Sequence, residues 1–195
     1  FMKEYNLREM ASLVYYTMYD DLRWYVRRGG SNKKVISQFI ADWSKLMNPV
    51  TPHLSEELSK ELVSAADWPI YSEENISLTA AAGEDLVKKT MEGMRSVVKL
   101  AKLDKARKFT LFVAESWLYE LYTILSQEIN VTRNVGEIMR KVLENESMKE
   151  RGKQVSKIVQ SVLKDVSRLP TLVTSQEEEL AVMQDAVEFL VKEYE

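Results

Sequence analysis

Two prolines set three residues apart, in Leu46-Met47-Asn48-Pro49-Val50-Thr51-Pro52-His53-Leu54, restrict this chain more than any other feature. Proline has no N–H to donate and clashes with the carbonyl four residues earlier, so a helix entering this string stops before Pro49. A second helix accepts Pro52 at its first position, where no donor is needed, with Thr51 as its cap residue. The string therefore predicts a tight corner between antiparallel helices.

Apolar spacing extends the reading in both directions. Asn6 is a cap with Glu9 at the capping-box position, and Leu7, Ala11, Val14, Met18 and Tyr25 recur on one face of a helix that Gly29-Gly30 stops after Arg28. Val35, Ile36, Phe39, Ile40, Trp43, Leu46 and Met47 form a second stripe, and Leu54, Leu58 and Leu62 a third, with Trp68-Pro69 closing the unit. Three stripes with short connections predict an antiparallel helical bundle over residues 1–71, completed by a helix upstream because Phe1, Met2 and Tyr5 are apolar and uncapped.

From residue 71 to 83 the apolar period lapses and Ser, Asn, Thr and Gly accumulate, which marks a connector into a second domain, 72–195. A long helix follows, with Leu86, Val87, Met94, Val97, Val98 and Ala101 on one side. Residues 108–114, Lys-Phe-Thr-Leu-Phe-Val-Ala, read as a short strand, β-prone and free of proline. Further helices carry Trp117, Leu121, Ile124 and Leu125; Val135, Ile138, Met139, Val142 and Leu143; and Val155, Ile158, Val159, Val162 and Val166. After Pro170, Ser175-Gln176-Glu177-Glu178 opens a last helix through Leu180, Met183, Val187, Leu190 and Tyr194 with a capping box. The class is mainly α: an antiparallel helical bundle followed by a helix-rich α/β C-terminal unit with one short strand. A lone strand leaves backbone donors and acceptors without a ladder, so it is expected to pair with another copy of the chain in a crystal or to be left poorly paired.

Composition removes most chemistry. The 195 residues include no Cys and one His, so disulfides, thiolate catalysis and the usual zinc and copper ligand sets are excluded, and no catalytic or metal-binding residue is proposed. His53 is expected to pack against the corner rather than to react, since no nucleophile lies near it in sequence. There is no glycine-rich phosphate loop, no apolar run long enough to span a bilayer and no leader pattern, which makes the cytoplasm the expected compartment.

A net charge of −3 argues against a uniformly basic surface, so any nucleic-acid interface must be local. Residues 171–195 carry one Lys+Arg against seven Asp+Glu and form an acidic, solvated face. Cations gather elsewhere. Arg23 and Arg27 share a helical face with Tyr16, and Arg28, Lys33 and Lys34 crowd the following turn, where guanidinium forks and ammonium groups suit phosphate oxygens and a tyrosine suits stacking. Internal pairing of Asp20 with Arg23 is the competing use of that guanidinium. Lys149, Lys153 and Lys157 form a second row at i, i+4 spacing, with Lys164 nearby on the wheel. Lys88, Arg95, Lys99 and Lys102 make a third stripe that suits a phosphate backbone, but for it and for the second row an ordinary wet face is the favoured reading.

The proline-histidine corner (Pro49, Pro52, His53) together with Asp20-Asp21-Leu22-Arg23-Trp24-Tyr25-Val26-Arg27-Arg28-Gly29-Gly30 resembles the tRNA-stem-binding helical bundle of class I aminoacyl-tRNA synthetases. The arginine-tryptophan-tyrosine string and the stretch from Phe109 to Trp117 look most like the archaeal and eukaryotic-type leucyl-tRNA synthetase family. Where that family generally has Trp after Glu-Glu-Leu, this chain has Ser59, so one aromatic contact must be replaced. The adenylate-forming signatures of the His-Ile-Gly-His and Lys-Met-Ser-Lys-Ser types do not occur, and the first residue is Phe1, so the resemblance implies a piece of a larger enzyme without its catalytic domain. It further implies leucine tRNA and the catalytic and editing domains of the same polypeptide as partners, with no membrane and no DNA. No cofactor is expected in this piece; ATP serves the parent enzyme. A sister enzyme for isoleucine, valine or methionine, or a non-enzymatic helical interaction module, stays open at this point.

Overall fold

A computed structural model describes residues 6–59, 62–103, 108–166, 169–170 and 172–194. Phe1, Met2 and Tyr5, the residues behind the expected upstream helix, lie outside the described residues. The chain divides into two compact units, Phe1–Asn75 and Ile76–Glu195.

In the first unit, α1 (Leu7–Ser12) passes through a π-helical turn (Leu13–Thr17) into α2 (Met18–Arg27), followed by α3 (Lys33–Met47), α4 (Pro52–Leu58) and two short 3₁₀ turns, Val63–Ala65 and Glu73–Asn75. Asn6 caps α1 by accepting the Glu9 N–H, and its side-chain amide donates to the Glu9 carboxylate at 2.7 Å. Gly29 takes a φ of +93°, which L side chains rarely adopt, and Gly30 lets the Tyr25 ring lie against the backbone. Asn32 then caps α3 by accepting the N–H groups of Lys34 and Val35.

Met10, Val14 and Met47 form the core of this unit, with Tyr15, Met18, Trp43 and Leu46 packed around them. The corner forms where the prolines put it, but two details of the expected packing change. Thr51 occupies the N-cap position of α4 without a side-chain capping bond; its hydroxyl sits 2.7 Å from the Tyr15 hydroxyl instead. Leu54, Leu58 and Leu62 are exposed, and the buried residue of α4 is Ser55, whose hydroxyl donates to the Thr51 carbonyl at 2.9 Å. Ser44 on α3 is buried in the same manner, its hydroxyl donating to Ala41. Small, self-satisfied residues thus stand on both sides of the α3–α4 contact, which leaves the leucine face of α4 turned outward. The carboxylate of Glu56 accepts the N–H groups of Val63 and Ser64 and ties the 3₁₀ turn back to α4.

The second unit contains α5 (Leu78–Leu100), α6 (Ser116–Glu128), α7 (Val135–Val142), α8 (Glu146–Lys149), α9 (Gly152–Lys164) and α10 (Gln176–Lys192). Its main core joins α6 to α9 through Leu121, Leu125, Ile138, Val142, Met148, Val155, Val159 and Val162. α5 begins before Gly83 because Ser77 caps it, and Gly83 lies inside the helix, where a Cβ would come within 3.1 Å of Val182 on α10. α10 carries the expected capping box, with Ser175 and Glu178 bonded reciprocally. It turns Met183, Ala186 and Leu190 inward, while Leu180 and Val187 from the expected stripe face out. The seam with α5 fixes that rotation: Tyr194 donates to the Met91 carbonyl at 2.6 Å and Arg95 meets Glu193 at 3.8 Å.

Residues 108–114 form no strand, and no strand occurs among the described residues. Without a neighbouring strand to supply a ladder, this segment is held by side chains: Phe109 packs on Tyr194 with ring centroids 5.1 Å apart, and Gln176 donates to the Ala114 carbonyl at 2.8 Å. Phe112 is 91% exposed. The fold is mainly α, and the expected short strand is replaced by an irregular, side-chain-anchored connector.

Candidate nucleic-acid interface

The cations at the end of α2 and the start of α3 lie within one turn-and-cap arrangement. Tyr16 is 70% exposed in the π turn. Seven residues on, the Arg23 guanidinium lies 5.6 Å above the Tyr19 ring and 3.8 Å from Asp20, with its side chain 68% exposed. The expected Asp20 pairing therefore exists, but between two exposed groups it is worth only a few tenths of a kcal/mol and is readily exchanged for a phosphate. Arg27 is exposed and lies 6.0 Å over the Trp24 ring; Arg28 is half-buried at the end of α2. A shallow depression of about 590 Å³ is lined by Asp20, Leu22, Arg23, Trp24, Val26 and Arg27.

Asn32 starts α3 so that Lys33 and Lys34 occupy its first turn, both exposed. The N–H groups of Lys34 and Val35 are taken by the Asn32 side chain and that of Asn32 by the Tyr25 hydroxyl, so it is the positive end of the helix dipole, with two lysines on it, that concentrates positive potential there at a small cost in stability. Such a site attracts anions. Arg27 and Arg28 thus stand at the end of α2 and Lys33 and Lys34 in the first turn of α3, with Arg23 one turn back along α2.

The second row is broken. Lys153 and Lys157 share α9, but Lys149 lies on α8, and the chain turns at Arg151 between them. All three are exposed, as is Lys164. On α5, Lys88 is half-buried, Arg95 is engaged by Glu193 and Lys99 is exposed, while Lys102, also exposed, lies past the helix end at a φ of +52° and so leaves the expected stripe. At the corner, Pro49 and Pro52 are exposed, and so is His53, which does not pack against the corner as expected. Its solvent-facing position follows from the same rotation of α4 that buries Ser55.

Tyr19, Trp43 and Asn32 belong to this site although the sequence reading did not single them out for it. Asn32 had a readable signal, a good capping residue just before a pair of lysines. Tyr19 had none, because the π turn shifts its face. Among the described residues there is no group of acidic, His or Cys side chains able to hold a metal ion, and no helix long and apolar enough to cross a membrane.

Residues 1–111 match the anticodon-binding domain of tRNA ligase. The chain is 35% identical over 198 residues to the leucine–tRNA ligase of Methanocaldococcus jannaschii, a match covering 99% of this chain and 20% of that protein. It is 33% identical over 198 residues to the leucine–tRNA ligase of Methanococcus vannielii, with the same coverage of 99% and 20%. With the leucine–tRNA ligase of Pyrococcus furiosus it shares 31% identity over 206 residues, covering 98% of this chain and 20% of the relative. The chain thus spans about a fifth of the length of these relatives. No solved structure matches it. With more than half of its 195 residues inside that match, and with its helical corner and cation-bearing α2–α3 turn in the matched part, the chain belongs to the anticodon-binding domain family of tRNA ligases.

Proposed function

We propose that this chain is the tRNA-binding part of a cytoplasmic leucine–tRNA ligase, and that the α2–α3 turn holds the phosphate backbone of a leucine tRNA. Arg23, Arg27, Arg28, Lys33 and Lys34 neutralise phosphates, and Tyr16 offers a stacking surface. The observation that carries the reading is the placement of Lys33 and Lys34, exposed in the first turn of α3 and one short turn from Arg27. Lys149, Lys153 and Lys157 supply a separate basic patch on the second unit, split between α8 and α9.

Phosphate contacts position the RNA and do not read its bases, so this surface orients tRNA for aminoacylation carried out elsewhere in the parent enzyme. ATP belongs to that other part: the sequence here carries no glycine-rich phosphate loop, and no residue is assigned to nucleotide binding. The catalytic and editing domains of the same polypeptide are the proposed protein partners.

Filter binding of the chain to leucine tRNA tests this reading. Arg27→Glu combined with Arg28→Glu weakens binding by tenfold or more, on the order of 1.4 kcal/mol, while the helical circular-dichroism signal is retained. Unchanged affinity would remove the α2–α3 turn from the interface.

A further inference from the structure

Trp43 connects α3 to the face that carries Arg23. Inside the π turn, the Met18 N–H donates to the Leu13 carbonyl, five residues back. In a continuous α-helix that N–H would go to Val14. The Val14 carbonyl instead accepts the Nε1–H of Trp43 at 2.7 Å. The Trp43 ring stacks on Tyr19, with centroids 6.3 Å apart and planes 22° apart, and meets Phe39 at 5.6 Å in a tilted pair. Tyr19 in turn lies beneath the Arg23 guanidinium, 5.6 Å from it. Pairwise ring contacts therefore link Phe39 to Trp43, Trp43 to Tyr19 and Tyr19 to Arg23.

A π turn adds one residue to one turn of helix, so everything beyond it is rotated by about 100° from where an α-helical run would carry it. The rotation decides which side of α2 faces α3 and which faces solvent. A donor held against the Val14 carbonyl favours the π arrangement, since returning to the α register would hand that carbonyl to Met18 and compete with the indole. The ring stack then fixes Tyr19, and with it the guanidinium above.

We propose that Trp43 is a positioning residue for RNA binding: its indole N–H holds the π turn, and its ring sets the Tyr19–Arg23 pair that meets phosphate. The inference rests on the tRNA-binding reading, and deepens it by naming what orients the basic face.

Trp43→Phe keeps an aromatic ring and removes the donor. It is expected to leave the chain folded, to change the amide exchange and chemical shifts of residues 13–19, and to weaken leucine-tRNA binding three- to tenfold, the scale of one lost hydrogen bond. A double-mutant cycle separates positioning from general loosening. Arg23→Ala should cost affinity in the parent chain and little in the Trp43→Phe background, whereas Lys34→Ala, on the other side of the turn, should cost the same in both. If the variant keeps the parent signals at residues 13–19, or binds tRNA as tightly as the parent while Arg23→Ala weakens binding, Trp43 does not position the face and the binding reading survives. If Arg23→Ala and Lys34→Ala are both without effect on tRNA affinity in the parent chain, the binding reading itself fails and this inference falls with it.

Discussion

The hydroxyl of Tyr15 lies 2.7 Å from the Thr51 hydroxyl, across 36 residues of sequence, and within 3.3 Å of the Met47 carbonyl. The proline corner is thereby tied to the π turn by one side chain. Tyr15→Phe removes the tie but keeps the ring, and is expected to lower unfolding free energy by about 1 kcal/mol, read as a shift in urea midpoint at constant slope. A variant as stable as the parent would show that the prolines alone hold the corner.

The Tyr25 ring lies where a Cβ on Gly30 would come within 2.5 Å. Gly30→Ala must therefore push the ring out of its seat, at an expected cost of about 1 to 3 kcal/mol. Gly29→Ala meets no atom within 4 Å but must hold a φ of +93°, for an expected loss of about 1 kcal/mol. Thermal melts rank the two, and a reversed order would contradict the distinction between close approach and backbone conformation.

Hydrogen bonds from the Ser64 and Val63 backbone hold the Glu56 carboxyl below its ordinary value of 4.5. A carboxyl depressed in the folded state contributes stability that is present above 4.5 and is lost as pH falls through the lower, folded value. Melting temperature should therefore fall on acidification below that point, and fall less in Glu56→Gln, whose side chain does not titrate. Parallel profiles for parent and variant would show that the 3₁₀ turn does not depend on this charge.

Leu125 is fully buried among α6 to α9, whereas Leu54 on α4 faces solvent. Leu125→Ala is expected to cost about 2 to 5 kcal/mol and Leu54→Ala under about 1 kcal/mol in the isolated chain, measured by chemical denaturation.

What the sequence made legible follows physical rules that act locally. Proline and glycine geometry determine the corner and the end of α2, and the capping box at Ser175 begins α10 as read, because each depends only on residues within one turn. The positions of Arg27 and Arg28 at the end of α2 and of Lys33 and Lys34 just after the glycines were legible for the same reason. The π turn was not, since its extra residue per turn is supported by Trp43, 29 residues away. Leu54, Leu58, Leu180 and Val187 show the other limit. Helical spacing identifies an apolar stripe, but which stripe is buried depends on what neighbouring helices bring, here Ser44 against α4 and the Gly83–Val182 approach against α10. The segment 108–114 carries β propensity, yet propensity cannot supply a neighbouring strand.

The dependence of leucine-tRNA affinity on salt tests most directly whether the α2–α3 turn engages phosphate. Each neutralised phosphate contributes a slope of roughly −0.7 to −0.9 in a plot of log affinity against log salt, so several contacts give a steep line for the parent chain, and Lys33→Glu with Lys34→Glu flattens it by about 1.5. A shallow line in the parent, or the same slope in both proteins, would contradict the account.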